Sequence, residues 1–134
     1  MASTAGGAFG FASGLIIQEF GYDDDVDETL RQAVEAETGT TLVDEDYEDV
    51  ADSAIVWWRD DDGDVDDLTD LLVDAQANLD GAGLIWVLTP KARTTGAVPA
   101  AEVEEAAQTA GMHATSAASM GQHWSGIRLS SRGR

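Results

Sequence analysis

The first strong apolar run is Gly14-Leu15-Ile16-Ile17-Gln18-Glu19-Phe20, compact and rich in β-branched residues, and it predicts a strand. Gly21-Tyr22-Asp23 turns the chain. Val26, Leu30 and Val34 then recur every four residues, with Ala33 beside them, which predicts a helix ending at Gly39. Thr40–Val43 reads as a short strand, and Asp44 to Asp52 as an acidic loop anchored by Tyr47 and Val50. Ala54-Ile55-Val56-Trp57-Trp58 is apolar on both faces, as a central parallel strand would be. Val65, Leu68, Leu71, Leu72, Ala75 and Leu79 share one helical face, and Asp80-Gly81 ends that helix. Leu84–Thr89 is a second buried strand, stopped by Pro90. Pro99 suits the first turn of a third helix over Ala100–Ala110, with Gly111 as its C-cap. His113–Met120 is weakly strand-like, and Ser125–Ser130 alternates as a last strand.

That order predicts an α/β fold: a single three-layer domain with a mostly parallel sheet of about five to six strands and helices on both faces. Residues 1–9 read as a flexible leader, 10–130 as the domain and 131–134 as a tail. No signal-peptide pattern opens the chain, and no run approaches the roughly 18 apolar residues of a membrane helix, so a cytoplasmic location is expected.

Charge changes this picture most. The 134 residues hold 26 Asp plus Glu against 7 Lys plus Arg, a formal net charge of −19. Residues 1–90 contain 23 acids and 2 bases, and residues 91–134 contain 3 acids and 5 bases. A polyanion of this kind is repelled by bare nucleic acid and by anionic membrane. A protein partner with a basic surface suits it better. There is no Cys, hence no disulfide, thiolate nucleophile or Cys-based metal site.

Several blocks resemble one family. They are Gly10-Phe11 with Gly14–Asp23, Val56-Trp57-Trp58-Arg59-Asp60-Asp61-Asp62-Gly63-Asp64, Leu84–Lys91, Glu104-Glu105-Ala106-Ala107 with Thr109-Ala110-Gly111, and Trp124-Ser125-Gly126-Ile127-Arg128-Leu129. In this order, from Gly10 to Leu129, they resemble the domain-of-unknown-function family numbered 3052, small proteins common in actinobacteria. The resemblance implies no activity. Its layout is similar to a trimmed S-adenosylmethionine-dependent methyltransferase (Rossmann-like) fold, in which the first strand ends in an acid and a Gly-x-Gly-x-Gly loop. Glu19 and Gly21 match that pattern. Tyr22 and Asp23 depart from it, Asp24 and Asp25 follow, and the strand that should supply a ribose-binding acid has shrunk to Thr41–Val43. The cofactor loop is therefore degenerate, and no cofactor is expected.

Asp60-Asp61-Asp62-Gly63-Asp64 could attract a divalent cation through its oxygens, but it fails the EF-hand spacing. A capped helix start explains it better, and no metal site is expected. Trp57 and Trp86 read as core, while Trp58 and Trp124 lie at element ends and could be core or surface. His113 and His123 form no nucleophile–base set, and Ser125 lacks the Gly-x-Ser-x-Gly elbow. Lys91, the only lysine, could meet an anion or pair with the Asp60–Asp64 loop, and Arg128 could close a similar pair. The expected function is a non-catalytic interaction or regulatory protein, with Asp61, Asp62, Asp64, Trp124 and Arg128 on its interaction surface. The alternative is a nucleotide-like ligand module with a crevice lined by Glu19, Gly21, Trp58, Asp60, Thr89 and Lys91. Enzymatic activity is not expected.

Overall fold

A computed structural model describes residues 9–79 and 83–131. The expected leader and tail fall almost wholly outside these residues, as does the Asp80-Gly81 helix stop. Among the described residues, five strands form one sheet: β1 (Ile17–Phe20), β2 (Ser53–Trp57), β3 (Leu84–Pro90), β4 (Met112–Met120) and β5 (Trp124–Ser131). Three α-helices connect them: α1 (Glu28–Thr38), α2 (Val65–Ala77) and α3 (Ala100–Thr109). A 3₁₀ turn, Asp60–Asp62, precedes α2.

The strand order is β1-β2-β3-β5-β4. β1, β2 and β3 run parallel, whereas β5 is antiparallel to both β3 and β4. The sheet is thus mixed rather than mostly parallel. The physical reason lies at Gly121–His123: three residues can join only antiparallel neighbours, while each parallel pair needs a long crossover. Thr40–Val43 does not become a strand of its own. It contributes one bridge, Val43 to Gln18, along the outer edge of β1.

Alternation along β2 divides the core. Ala54, Val56 and Trp58 join Leu68, Leu72 and Ala75 of α2 and Val103, Ala106 and Ala107 of α3. Ile55 and Trp57 join Leu30 and Val34 of α1, with Phe9 and Phe11 from the start of the described chain. The helical cover is therefore uneven: two helices cluster with one set, and one helix plus an aromatic segment with the other. Phe9 stands edge-on to Trp86, and its carbonyl accepts a hydrogen bond of 2.9 Å from the Trp86 indole. Burying one such large side chain contributes roughly 1.5–3 kcal/mol.

Helix starts follow the acidic pattern. The Asp27 carboxylate accepts from the backbone N–H groups of Thr29 and Leu30. Asp64 and Asp67 form a reciprocal capping box at α2. Pro99 sits just before α3 as its N-cap rather than within its first turn, and Gly111 follows the C-cap Ala110. The acidic loop is held by the buried Gln18, whose amide donates to the carbonyls of Asp44 and Tyr47 at 3.1 Å each. Asn78 donates to the Gln18 amide oxygen and to the Tyr47 carbonyl. Among the described residues, no helix is long and apolar enough to cross a membrane.

Candidate functional site

The carboxyl ends of β1, β2 and β3 lie side by side, which is where open α/β sheets bind ligands. Two arginines occupy this end. They are the two bases of the first 90 residues, and each is held among carboxylates.

Glu19, near the end of β1, is buried, yet its carboxylate is fully engaged. Arg31 of α1 grips it with two hydrogen bonds, Nε to Oε2 at 2.7 Å and Nη2 to Oε1 at 2.8 Å. The Trp57 indole donates a third, at 2.9 Å. Arg31 also reaches Glu28 at 2.9 Å and lies 4.6 Å from the centre of the Tyr22 ring. The hydrogen bond to Glu19 is the main reason that the Arg31 pKa is raised. Glu28 in turn raises the Tyr22 phenol pKa by its negative charge.

Arg59 follows β2 and is also buried. Its Nε donates to Asp25 Oδ2 at 2.9 Å, and its Nη2 donates to Asp25 Oδ1. Nη1 donates to the Gly21 carbonyl at 2.8 Å and to the Trp57 carbonyl at 3.2 Å. Asp62 accepts from the Arg59 backbone N–H at 2.9 Å and approaches the guanidinium at 3.4 Å. Trp124 lies with its ring centre 5.5 Å from the guanidinium carbon. Desolvation works against the Arg59 charge, but the hydrogen bond and charge of Asp25, aided by Asp62, outweigh it and raise the pKa. Asp25 is correspondingly held below its ordinary pKa by its hydrogen bond to Arg59.

Gly21 makes this arrangement possible. Its φ is +78°, and a Cβ there would sit 2.3 Å from the Trp57 carbonyl oxygen. Only glycine permits both the backbone conformation and the contact. Its N–H donates to Glu45 at 3.0 Å, and its carbonyl faces Arg59. The Gly21 backbone is thus engaged at both its N–H and its carbonyl by side chains of the same chain.

The six residues expected to line one crevice are dispersed. Gly21 and Trp58 border a shallow cleft of about 240 Å³ with Tyr22, Glu45 and Arg59. Asp60 borders a polar hollow of about 290 Å³ with Asp23, Asp25 and Asp61. Thr89 belongs to an apolar groove of about 410 Å³ beside β4 and β5. Trp58 is buried in the cluster shared with α2 and α3, and its backbone N–H donates to the Leu88 carbonyl at 2.8 Å. Lys91 does not pair with the Asp60–Asp64 loop: its ammonium donates to the Gly121 carbonyl at 3.1 Å. Arg59 takes the place expected for Lys91, because it leaves β2 directly into that loop.

Of the expected interaction surface, Asp61, Asp62 and Asp64 are exposed. Asp64 caps α2, and the Asp67 backbone N–H that it accepts lowers its pKa. Trp124 is a correction: it is 3% exposed and stacks edge-on against Trp57 at 4.8 Å. It starts β5 beneath α1, so its indole closes the core. Arg128 closes no ion pair among the described residues; its Nε donates to the Thr115 hydroxyl at 3.0 Å. His113 and His123 are both exposed, His113 near the start of β4 and His123 in the turn between β4 and β5. A larger hollow, about 510 Å³, opens between the start of α1 and the β4–β5 turn, bordered by Asp25, Asp27, Glu28 and His123. Arg31, Arg59 and Asp25 were absent from the expected site. The available signal was the scarcity of bases: two cations amid 23 acids had to meet carboxylates.

The chain belongs to the family described as Protein of unknown function (DUF3052), whose model matches residues 6–133. It is 47% identical over 114 residues to the uncharacterized protein Rv2239c of Mycobacterium tuberculosis, covering 85% of this chain and 70% of that one. Its fold is similar to that of the pyocyanin biosynthetic protein PhzM, with a TM-score of 0.66 at 12% identity, over 89% of this chain and 51% of PhzM. It is likewise similar to the mitomycin 7-O-methyltransferase MmcR, with a TM-score of 0.62 at 14% identity, over 87% of this chain and 49% of MmcR. The chain spans about half the length of these two proteins, and the likeness concerns the fold.

Proposed function

We propose that this member of the family is a non-catalytic interaction or regulatory protein, docked through its acidic strand-end rim by a basic surface of a protein partner. One observation carries the reading: the guanidinium of Arg59 and the Glu19–Arg31 pair occupy the strand-end mouth with contacts internal to the chain, leaving hollows of only about 240 and 290 Å³ beside them. A cofactor lying there would have to displace a buried cation from four protein oxygens, Asp25 Oδ1 and Oδ2 and the carbonyls of Gly21 and Trp57. Outside this plug, Asp23, Asp24, Asp60 and Asp61 stand exposed. Long-range attraction by such a rim speeds encounter with a cationic surface and weakens with salt. The same chemistry favours a cytoplasmic protein partner over nucleic acid or membrane.

The alternative is a nucleotide-like ligand module, supported by the methyltransferase-like fold and by the left-handed Gly21 at the expected loop. Thermal unfolding with millimolar S-adenosylmethionine, S-adenosylhomocysteine and nucleotides separates the two. A ligand that binds only the native state must raise the melting temperature. The non-catalytic reading expects a flat panel, together with a captured partner that is lost at high salt and lost again in a D23N/D24N/D60N/D61N variant. A clear rise with adenosylmethionine overturns it in favour of the ligand module. A partner that binds this variant as well as the wild type overturns docking through the acidic rim.

A further inference from the structure

The acids that dominate the chain stop at Glu105, and residues 106–134 contain none. That stretch includes the whole of β4 and β5. Among the described residues, β4 is the outermost strand and pairs on one side only, with β5. Every residue from His113 to Ser119 is exposed, so both faces of the strand are open to solvent.

Such an edge is unusual in a soluble domain. Exposed edges are ordinarily shortened, charged, bulged, kinked by proline or covered, because their free N–H and C=O groups template further pairing. β4 has nine residues, MHATSAASM, with no Pro, Lys, Arg, Asp or Glu. Its one irregularity is a register shift between Ala114 and Ser116. The opposite edge is covered: Val43 donates to the Ile17 carbonyl and accepts from the Glu19 N–H. Among the described residues, no backbone hydrogen bond reaches the outer side of β4. Alongside runs the groove of about 410 Å³, whose lining includes Val98, Pro99, Ala117, Ala118 and Ile127.

We propose that β4 is a dimerisation edge, pairing antiparallel with β4 of a second copy of this chain to join the two five-stranded sheets. Charge selects the occupant. A basic partner is drawn to the acid-rich rim, whereas a second copy carries −19 and is repelled from it. The β4 edge is where two such chains can approach with no carboxylate on either strand. The nearest acid of the groove, Glu104, sits on α3 rather than on the strand. Antiparallel self-pairing about a two-fold axis is self-complementary, so one strand supplies both halves of the interface. Residues near its middle, around Ser116, then face their own copies.

Sedimentation velocity on the full chain over a dilution series tests this directly. The expected species at high concentration has about twice the 14.1 kDa chain mass. Salt should strengthen the dimer by screening the repulsion between the acidic bodies. The S116D/A118D variant places like charges opposite one another and should weaken association at least about tenfold, with an unchanged circular dichroism spectrum. Hydrogen exchange on the wild type covers the case in which that variant does not fold: amides of residues 112–120 should gain protection as concentration rises. A wild-type monomer at every concentration and salt overturns the proposal. So does a dimer whose residues 112–120 gain no protection, or a folded S116D/A118D that dimerises like the wild type.

Discussion

Replacing Arg31 with Met removes the guanidinium that holds Glu19 while keeping most of the packing stem. The Glu19 side chain is 5% exposed, and after the change it retains one donor, the Trp57 indole. A buried carboxylate stripped of its cation costs about 3–5 kcal/mol. Arg31 itself is 26% exposed, so water can partly replace it, and the lower end of that range applies: about 3 kcal/mol. The companion pair with Glu28, whose side chain is 55% exposed, adds at most about 0.5 kcal/mol.

Urea unfolding followed by tryptophan fluorescence measures this, since Trp57 contacts Glu19 directly. At this chain length, the loss corresponds to a fall of roughly 10 °C in melting temperature. Adding Glu19→Gln to R31M removes the uncompensated charge while leaving an amide oxygen for the indole. The double variant should then return to within about 1 kcal/mol of the wild type. If R31M alone costs less than about 1 kcal/mol, or if E19Q fails to restore stability, the reading of Glu19 as a buried and internally satisfied carboxylate is wrong.

Three further outcomes follow from the same geometry. Gly21→Ala should cost about 3 kcal/mol in urea unfolding, because it combines a left-handed backbone with a Cβ 2.3 Å from the Trp57 carbonyl oxygen. Asp64→Ala removes the N-cap of α2 and should lower stability by about 1 kcal/mol, read as a shifted urea midpoint with an unchanged slope. The Asp25 pKa is depressed in the folded protein, so its contribution is present above the ordinary carboxylate pKa of about 3.9 and is lost as pH falls through the lower folded value. The stability gap between the wild type and Arg59→Met should accordingly be constant from about pH 7 to 5 and narrow at lower pH; a gap that widens on acidification contradicts the pairing.

Most of the fold was legible because its signals are local. The β-branched run at Ile17, the doubly apolar Ala54–Trp57 and the spacing of Leu68, Leu72 and Ala75 each state their element through periodicity. Sheet order was harder, since nothing in the Ser125–Ser130 alternation says that it inserts between β3 and β4. Trp58 and Trp124 could not be assigned from sequence, because burial at an element end depends on what the rest of the chain lays over it. Here Trp57 and Arg59 lie against Trp124, and the α2–α3 cluster encloses Trp58. The residues expected to line one crevice border separate hollows for a related reason. Residues at neighbouring strand ends share a level but not a face, and the alternation that sends Glu19 toward α1 sends Trp58 toward α2.

The arginines also alter what the net charge means. Along the sequence, Arg31 and Arg59 offset two of the 23 acids in the first 90 residues. In the fold, their side chains are only 26% and 9% exposed, and both are spent on Glu19, Glu28, Asp25 and Asp62. Neither is left to neutralise Asp23, Asp24, Asp60 or Asp61 at the rim. A surface so biased repels its own kind least where acids are missing, and the edge of β4, left open among the described residues, lies within the acid-free stretch after Glu105. Docking of a basic partner and self-pairing of β4 therefore do not compete. On the proposed reading, the charge distribution that would draw a cationic surface to the strand ends would also steer a second copy toward β4.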